Sequence, residues 1–254
     1  MITKGQVDVL AKKFKTNQNT VFREYLQVLF LSKLYSFQKS KKVFFKGGTA
    51  IHLIFKGPRF SEDLDFTVNL GEKEFLGLIN KVFENMSREG EMTFKERKAI
   101  AGKRFLLTAQ PSVLPYKVFV NLDFSFREIV LELQKSIIET EYPILFTSYI
   151  HHLSKNEIFA EKIRAALTRK KGRDIYDLWF LLTQGASFKN NLVQKKLDYY
   201  DKKGIRNEEI VERVESFSKK DFIRDLRPFV PINERNKLGD FFIYVKDYLK
   251  KHFK

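Results

Sequence analysis

The stretch from Lys46 to Phe66, KGGTAIHLIFKGPRFSEDLDF, constrains the fold most, because its two ends require different backbone geometries. Gly47 and Gly48 carry no Cβ, so the backbone there can turn tightly and approach a bound group closely. A helix beginning at Thr49 would offer free N–H groups and the positive end of its dipole to an anion. At the far end, an extended segment places Ser61, Asp63 and Asp65 on one face and Phe60, Glu62, Leu64 and Phe66 on the other. Leu64 and Phe66 then belong to a core, and two carboxylates stand close together on the opposite face. Like charges that close raise each other's pKa unless a cation lies between them. Hard oxygen ligands beside a phosphate-bearing group favour Mg²⁺. The apolar run 50–55 and the turn at Gly57-Pro58 complete a strand–glycine bend–helix–strand unit from Val43 to Val68.

Helical spacing predicts helices over 5–16 and 19–37, the second capped by Asn19 or Thr20. A third runs from Glu72 to Arg88, punctuated by Gly90. Residues 92–98 and 104–109 read as a hairpin around Ala101-Gly102, after which Pro111 and Pro115 break the chain. The segment KVFVNLDFSF, residues 117–126, sets Val118, Val120, Leu122, Phe124 and Phe126 against Phe119, Asn121, Asp123 and Ser125. That alternation predicts a central strand with Asp123 on its polar face. Beyond a loop through Pro143 the pattern becomes helical. Ser154 and Glu157 have capping-box spacing ahead of the apolar run Ile158–Leu167, and 173–182 forms the next helix. Further helices are predicted over 189–200, 207–217, 219–226 and 238–252. The expected architecture is α/β: residues 1–150 with a mixed sheet of about four to six strands and flanking helices, then a helical half over 151–254 that closes a cleft.

The histidines offer no catalytic pattern. His52 falls inside a predicted helix and reads as packed, and the adjacent His151 and His152 diverge, so neither a histidine metal site nor a Ser-His-Asp hydrolase is supported.

The net charge of +16 on 254 residues points to a polyanionic partner, with nucleic acid first, an acidic protein second and a membrane surface third. Basic clusters fall at 39–42, 195–203 and 250–254 but do not lie along one amphipathic helix. No stretch approaches the roughly 18 uncharged apolar residues of a membrane span. The N-terminal segment lacks the long apolar run of a signal peptide. The absence of cysteine excludes disulfides and thiolate metal sites and is compatible with a reducing cytoplasm, the expected location.

The glycine pair followed by Arg59, Ser61 and Asp63-Leu-Asp65-Phe resembles the opening motif of the AbiEii-type nucleotidyltransferase toxins, within the polymerase-β-like superfamily. The resemblance implies a polymerase-β-like core that moves a nucleoside monophosphate from an NTP·Mg²⁺ to an acceptor hydroxyl. It implies a nucleotide seat at Lys46, Gly47, Gly48 and Thr49 with Arg59 and Ser61, metal ligands at Asp63 and Asp65, and a third carboxylate, Asp123, as metal ligand or base for the attacking hydroxyl. The segment EKIRA…RDIYDL resembles the family's later motifs, where a lysine and an aspartate on paired helices complete the site. Lys162 would then hold nucleotide phosphates, with Asp174 or Asp177 orienting it. Arg164, Arg169 and Arg173 are open to two readings, phosphate contacts or ion pairs between helices. Relatives that extend tRNA 3′ ends make tRNA the first acceptor, ahead of a protein or antibiotic hydroxyl, or of a non-catalytic nucleic-acid-binding role. A cognate antitoxin is the implied protein partner.

Overall fold

The computed structural model describes residues 1–99, 101–200, 204 and 206–253. Lys202, Lys203 and Lys254 of the predicted basic clusters lie outside the described residues. The chain forms two compact units: Met1–Lys56 with Phe60–Leu153, and Gly57–Arg59 with Ser154–Lys254. Among the described residues no helix is long and apolar enough to cross a membrane.

The first unit opens with helices α1 (Lys4–Lys13) and α2 (Gln18–Tyr35). Strand β1 (Val43–Lys46) runs straight into the short helix α3 (Gly47–Leu53), and β2 (Leu64–Val68) follows. Helix α4 (Glu72–Ser87) leads into β3 (Met92–Arg97), β4 (Lys103–Ala109) and β5 (Val118–Ser125), then β6 (Leu133–Ser136) and β7 (Ile150–Leu153). The strands make one mixed sheet in the order β3-β4-β5-β2-β1-β7-β6. Its centre is parallel where β5 meets β2 and antiparallel where β2 meets β1.

The seven strands among the described residues exceed the expected number because β6 and β7 carry no readable signal. LQKS is polar and mostly exposed, and IHHL is four residues around a histidine pair, so pairing within the sheet rather than alternation specifies them. The cap of α2 also differs from expectation. Asn17, not Asn19 or Thr20, is the N-cap, and its side chain accepts from the Thr20 N–H at 2.9 Å. An asparagine one step outside the first turn satisfies an otherwise unpaired donor, whereas Thr20 is already helical.

The core lies on the sheet face covered by α2 and α4. Phe45, Phe66 and Phe124 are cross-strand neighbours on β1, β2 and β5. The Phe66 and Phe124 rings stack at 4.9 Å, and Phe30 of α2 and Phe75 of α4 close over them at 6.0 and 4.7 Å. The phenylalanine side chains are fully buried or nearly so, and each contributes on the order of 2 kcal/mol by leaving water.

The second unit is helical: α5 (Lys155–Thr168), α6 (Gly172–Thr183), α7 (Asn190–Asp198), α8 (Asn207–Glu215), α9 (Lys219–Leu226) and α10 (Leu238–Phe253). Ser154 caps α5 as its sequence predicts, accepting from the Glu157 N–H at 3.1 Å. Phe159 stacks on Phe253, and Trp179 meets Phe241 edge-on at 4.7 Å. In the first unit His52 Nε2 lies 2.7 Å from Glu24, and His152 is bound through Ser136 Oγ and the Leu153 carbonyl.

Candidate active site

The same alternation that sends Phe66 and Phe124 into the core places charged residues one step away in each strand. Arg104, Asp123, Asp65 and Lys46 are successive register partners across β4, β5, β2 and β1. Side chains directly opposite share a face, so the sheet carries a transverse row of charge: cation, carboxylate, carboxylate, cation. Asp65 and Asp123 sit side by side on parallel strands at its centre. Asp63, just before β2, joins them through Asn121 of β5, whose amide donates to Asp63 Oδ1 at 2.9 Å.

The glycine bend abuts this row. Gly47 has φ +80°, a region that favours glycine, and a Cβ built there would overlap the Asp65 carboxylate. Gly47 therefore lets the backbone lie against the second aspartate of the DLD segment. Helix α3 begins at Gly47 itself, two residues before the expected start at Thr49. Thr49 is buried, and its hydroxyl donates to the Asp63 carbonyl, which ties α3 to the loop before β2. The diglycine bend and the two aspartates are thus one construction.

Three expected site residues have other immediate surroundings. Lys46 is buried with its Nζ 2.9 Å from Glu128, a residue the sequence reading did not single out. Ser61 precedes the strand, which starts only at Leu64, so alternation does not set its direction; its carbonyl accepts from Gln27. Arg59 belongs to the second unit, where its guanidinium grips Asp177 in a buried bidentate pair at 2.6 and 2.6 Å.

The electrostatics follow the row. Burial pushes the Asp123 carboxyl above its ordinary value; Arg104 opposes the shift and the Asp63 charge adds to it. The Arg104 Nε donates to Asp123, and that bond, with further attraction from Asp63 and Asp65, holds the guanidinium pKa up. Arg104 is therefore drawn by all three acids. Among the described residues no group of three or more acidic or histidine side chains stands ready-placed around one point. The expected convergence is not preformed, because Asp123 is engaged by Arg104 and Asp63 by Asn121. The donor set nevertheless fits a hard divalent cation in type, being all carboxylate oxygen, and two of its members, Asp65 and Asp123, are register partners on neighbouring strands.

In the second unit α5 and α6 bring Lys162 to both candidate aspartates. Its Nζ lies 2.7 Å from Asp177 and 3.3 Å from Asp174, with only 8% of the residue exposed. Arg169 completes the pairing of Asp174 at 2.8 Å. Burial alone would push both carboxyls up. Lys162 and Arg169 outweigh it at Asp174 and bring the pKa to about 2; Arg59 and Lys162 outweigh it at Asp177 and also lower it. Both candidate aspartates therefore hold Lys162. Of the three arginines left open, Arg169 makes the ion pair, while Arg164 and Arg173 lie over the rings of Tyr200 and Phe229 at 4.5 and 4.5 Å.

A family model described as the nucleotidyl transferase AbiEii toxin of a type IV toxin–antitoxin system matches residues 29–241, spanning the charge row and the Lys162 cluster alike. The chain belongs to the AbiEii family. As an AbiEii protein it is a nucleotidyltransferase and a toxin, with a nucleotide as substrate and a cognate antitoxin implied by its class. No curated protein matches it. Among solved structures it is similar to MenT4, a nucleotidyltransferase toxin from Mycobacterium tuberculosis, with 20% identity over 97% of this chain and 90% of that one and a TM-score of 0.66. It is also similar to JHP933 from Helicobacter pylori, with 17% identity, coverage of 93% and 94%, and a TM-score of 0.58. At these identities the likeness carries the fold, and the AbiEii match carries the activity class.

Two residues at the charge row escaped the sequence reading as functional. Asn121 carried a signal, since it shares the polar face of its strand with Asp123. Arg104 carried none: its place opposite Asp123 depends on the register across the connection through Pro111 and Pro115.

Proposed function

We propose that the protein is a Mg²⁺-dependent toxin that transfers a nucleoside monophosphate from an NTP to a hydroxyl of RNA, with the 3′ end of tRNA as acceptor. The observation that carries this reading is the pairing of Asp65 with Asp123 across β2 and β5, beside the Gly47 bend. Asp63, Asp65 and Asp123 would hold the metal. When bound, such an ion neutralises charge on the reacting phosphate and lowers the pKa of an attacking oxygen. Asn121 keeps Asp63 oriented, and Gly47 lets the backbone of the bend lie directly against Asp65. Asp123 would alternatively serve as the base that takes the proton of the acceptor hydroxyl. In the second unit, Lys162 serves as a phosphate cation whose position Asp174 and Asp177 set.

RNA as acceptor is supported by the net charge of +16, which favours a polyanion over a small neutral acceptor. An antitoxin that neutralises the protein by contact would be acidic for the same reason, and the setting would be the cytoplasm, where NTP and tRNA meet. The test is incubation of the purified protein with each radiolabelled NTP, Mg²⁺ and total tRNA. Labelled, lengthened tRNA supports the reading. Label that appears only in protein or in a small molecule moves the acceptor, and no transfer with any NTP and metal overturns it.

A further inference from the structure

The cation at one end of the charge row is built to leave. Arg104 stands opposite Asp123 in the antiparallel β4–β5 register, and its Nε donates to Asp123 Oδ1. Its placement is firm at the backbone. Gly102, at φ +107°, lies against the Phe124 carbonyl so closely that a Cβ would overlap it, which fixes where β4 starts beside β5. The side chain, by contrast, is 47% exposed, while that of Asp123 is 25% exposed. The cation at the other end differs: Lys46 is 9% exposed and paired with a Glu128 that is 4% exposed. An ion pair on a half-exposed guanidinium is weak, worth at most about 1 kcal/mol, and a long side chain can rotate away without disturbing the sheet.

We propose that Arg104 is a displaceable counter-charge that competes with the divalent ion for Asp123 and thereby makes metal binding depend on nucleotide. The inference rests on the reading that Asp63, Asp65 and Asp123 hold that ion. Without nucleotide, the metal must evict a guanidinium from one of its ligands. With nucleotide present, the phosphates offer the guanidinium another acceptor, one that its planar fork binds at least as well as a carboxylate. The metal then takes Asp123 at no electrostatic loss. Arg104 is thus a positioning residue for Asp123, and metal and nucleotide bind cooperatively through it.

The test is Mn²⁺ binding to the whole protein by equilibrium dialysis, with and without ATP, the ATP series referred to a protein-free Mn²⁺–ATP control. In the nucleotide-free protein, Arg104→Gln tightens Mn²⁺ binding by about threefold to fivefold, the size of a half-exposed ion pair. Arg104→Lys keeps a cation and stays near wild type. Arg104→Gln combined with Asp123→Asn loses the gain. ATP tightens Mn²⁺ binding more in wild type than in Arg104→Gln. If wild type binds Mn²⁺ and Arg104→Gln binds it no more tightly, the competition is overturned while the metal reading stands. A gain that survives Asp123→Asn overturns it equally. If no form binds Mn²⁺ even with ATP, both the competition and the metal reading fail.

Discussion

At the scale of single residues, close neighbours in the site have unequal chemistry. Asp63 and Asp65 are separated by one residue, yet Asp63 is oriented by Asn121 whereas Asp65 lies against a glycine. Substituting Gly47 by Ala would force a side chain into a left-handed backbone conformation and against the Asp65 carboxylate. The expected result is a loss of about 2 kcal/mol in stability by chemical denaturation, with a larger loss of transfer activity, since Asp65 must move. Asp65→Asn keeps the shape and removes a charge. We expect it to retain the melting behaviour of wild type and to lose transfer by roughly 100-fold or more, as removal of a transition-state electrostatic contact does. Asn121→Ala should cost less, because it frees Asp63 without discharging it.

At the scale of elements, the strand–bend–helix–strand unit was legible because its residues determine their own geometry. Gly47 permits the turn, Leu64 and Phe66 demand burial, and the alternation of 117–126 sorts Asp123 from Phe124. Neither β6 nor β7 was legible, since LQKS and IHHL contain no pattern that pairing alone could not override. Arg104 and Glu128 were not legible as parts of the site either, because no local signal gives the register between strands or the partner of a buried lysine. In the second unit the helices were readable from periodicity, but the Arg59–Asp177 pair joins residues far apart in sequence. That pair and its neighbours make a prediction for the helical unit. Asp174 and Asp177 both have folded pKa values below the ordinary 3.8, Asp174 about 2. A carboxylate with a depressed folded pKa contributes stability that is present above the unfolded value and lost as pH falls through the folded one. Denaturation of the second unit should therefore become easier between about pH 4 and pH 2, with roughly 2 kcal/mol lost through Asp174. A stability flat across that window would contradict the pairing. Asp177→Asn takes the bidentate carboxylate from buried Arg59 and leaves Lys162 with Asp174 alone, and the expected loss at neutral pH is about 3–5 kcal/mol by denaturant titration.

At the scale of the whole molecule, 47 basic against 31 acidic residues give a surface that draws polyanions from solution. Binding of tRNA to the protein, measured by filter retention or fluorescence anisotropy, should weaken steeply with salt, with a slope that counts the phosphates neutralised. An affinity indifferent to salt would contradict a backbone-phosphate contact. Charge brings the acceptor near, but the acids of the sheet must do the chemistry, and those two contributions separate cleanly by mutation. The decisive measurement follows incorporation of radiolabelled nucleotide into total tRNA by wild type, Asp63→Asn and Asp65→Asn, each confirmed as folded and still binding tRNA. The account predicts labelled tRNA with wild type and none above background with either variant. Equal labelling by all three would contradict it, because the carboxylates beside the glycine bend would then have no part in the reaction.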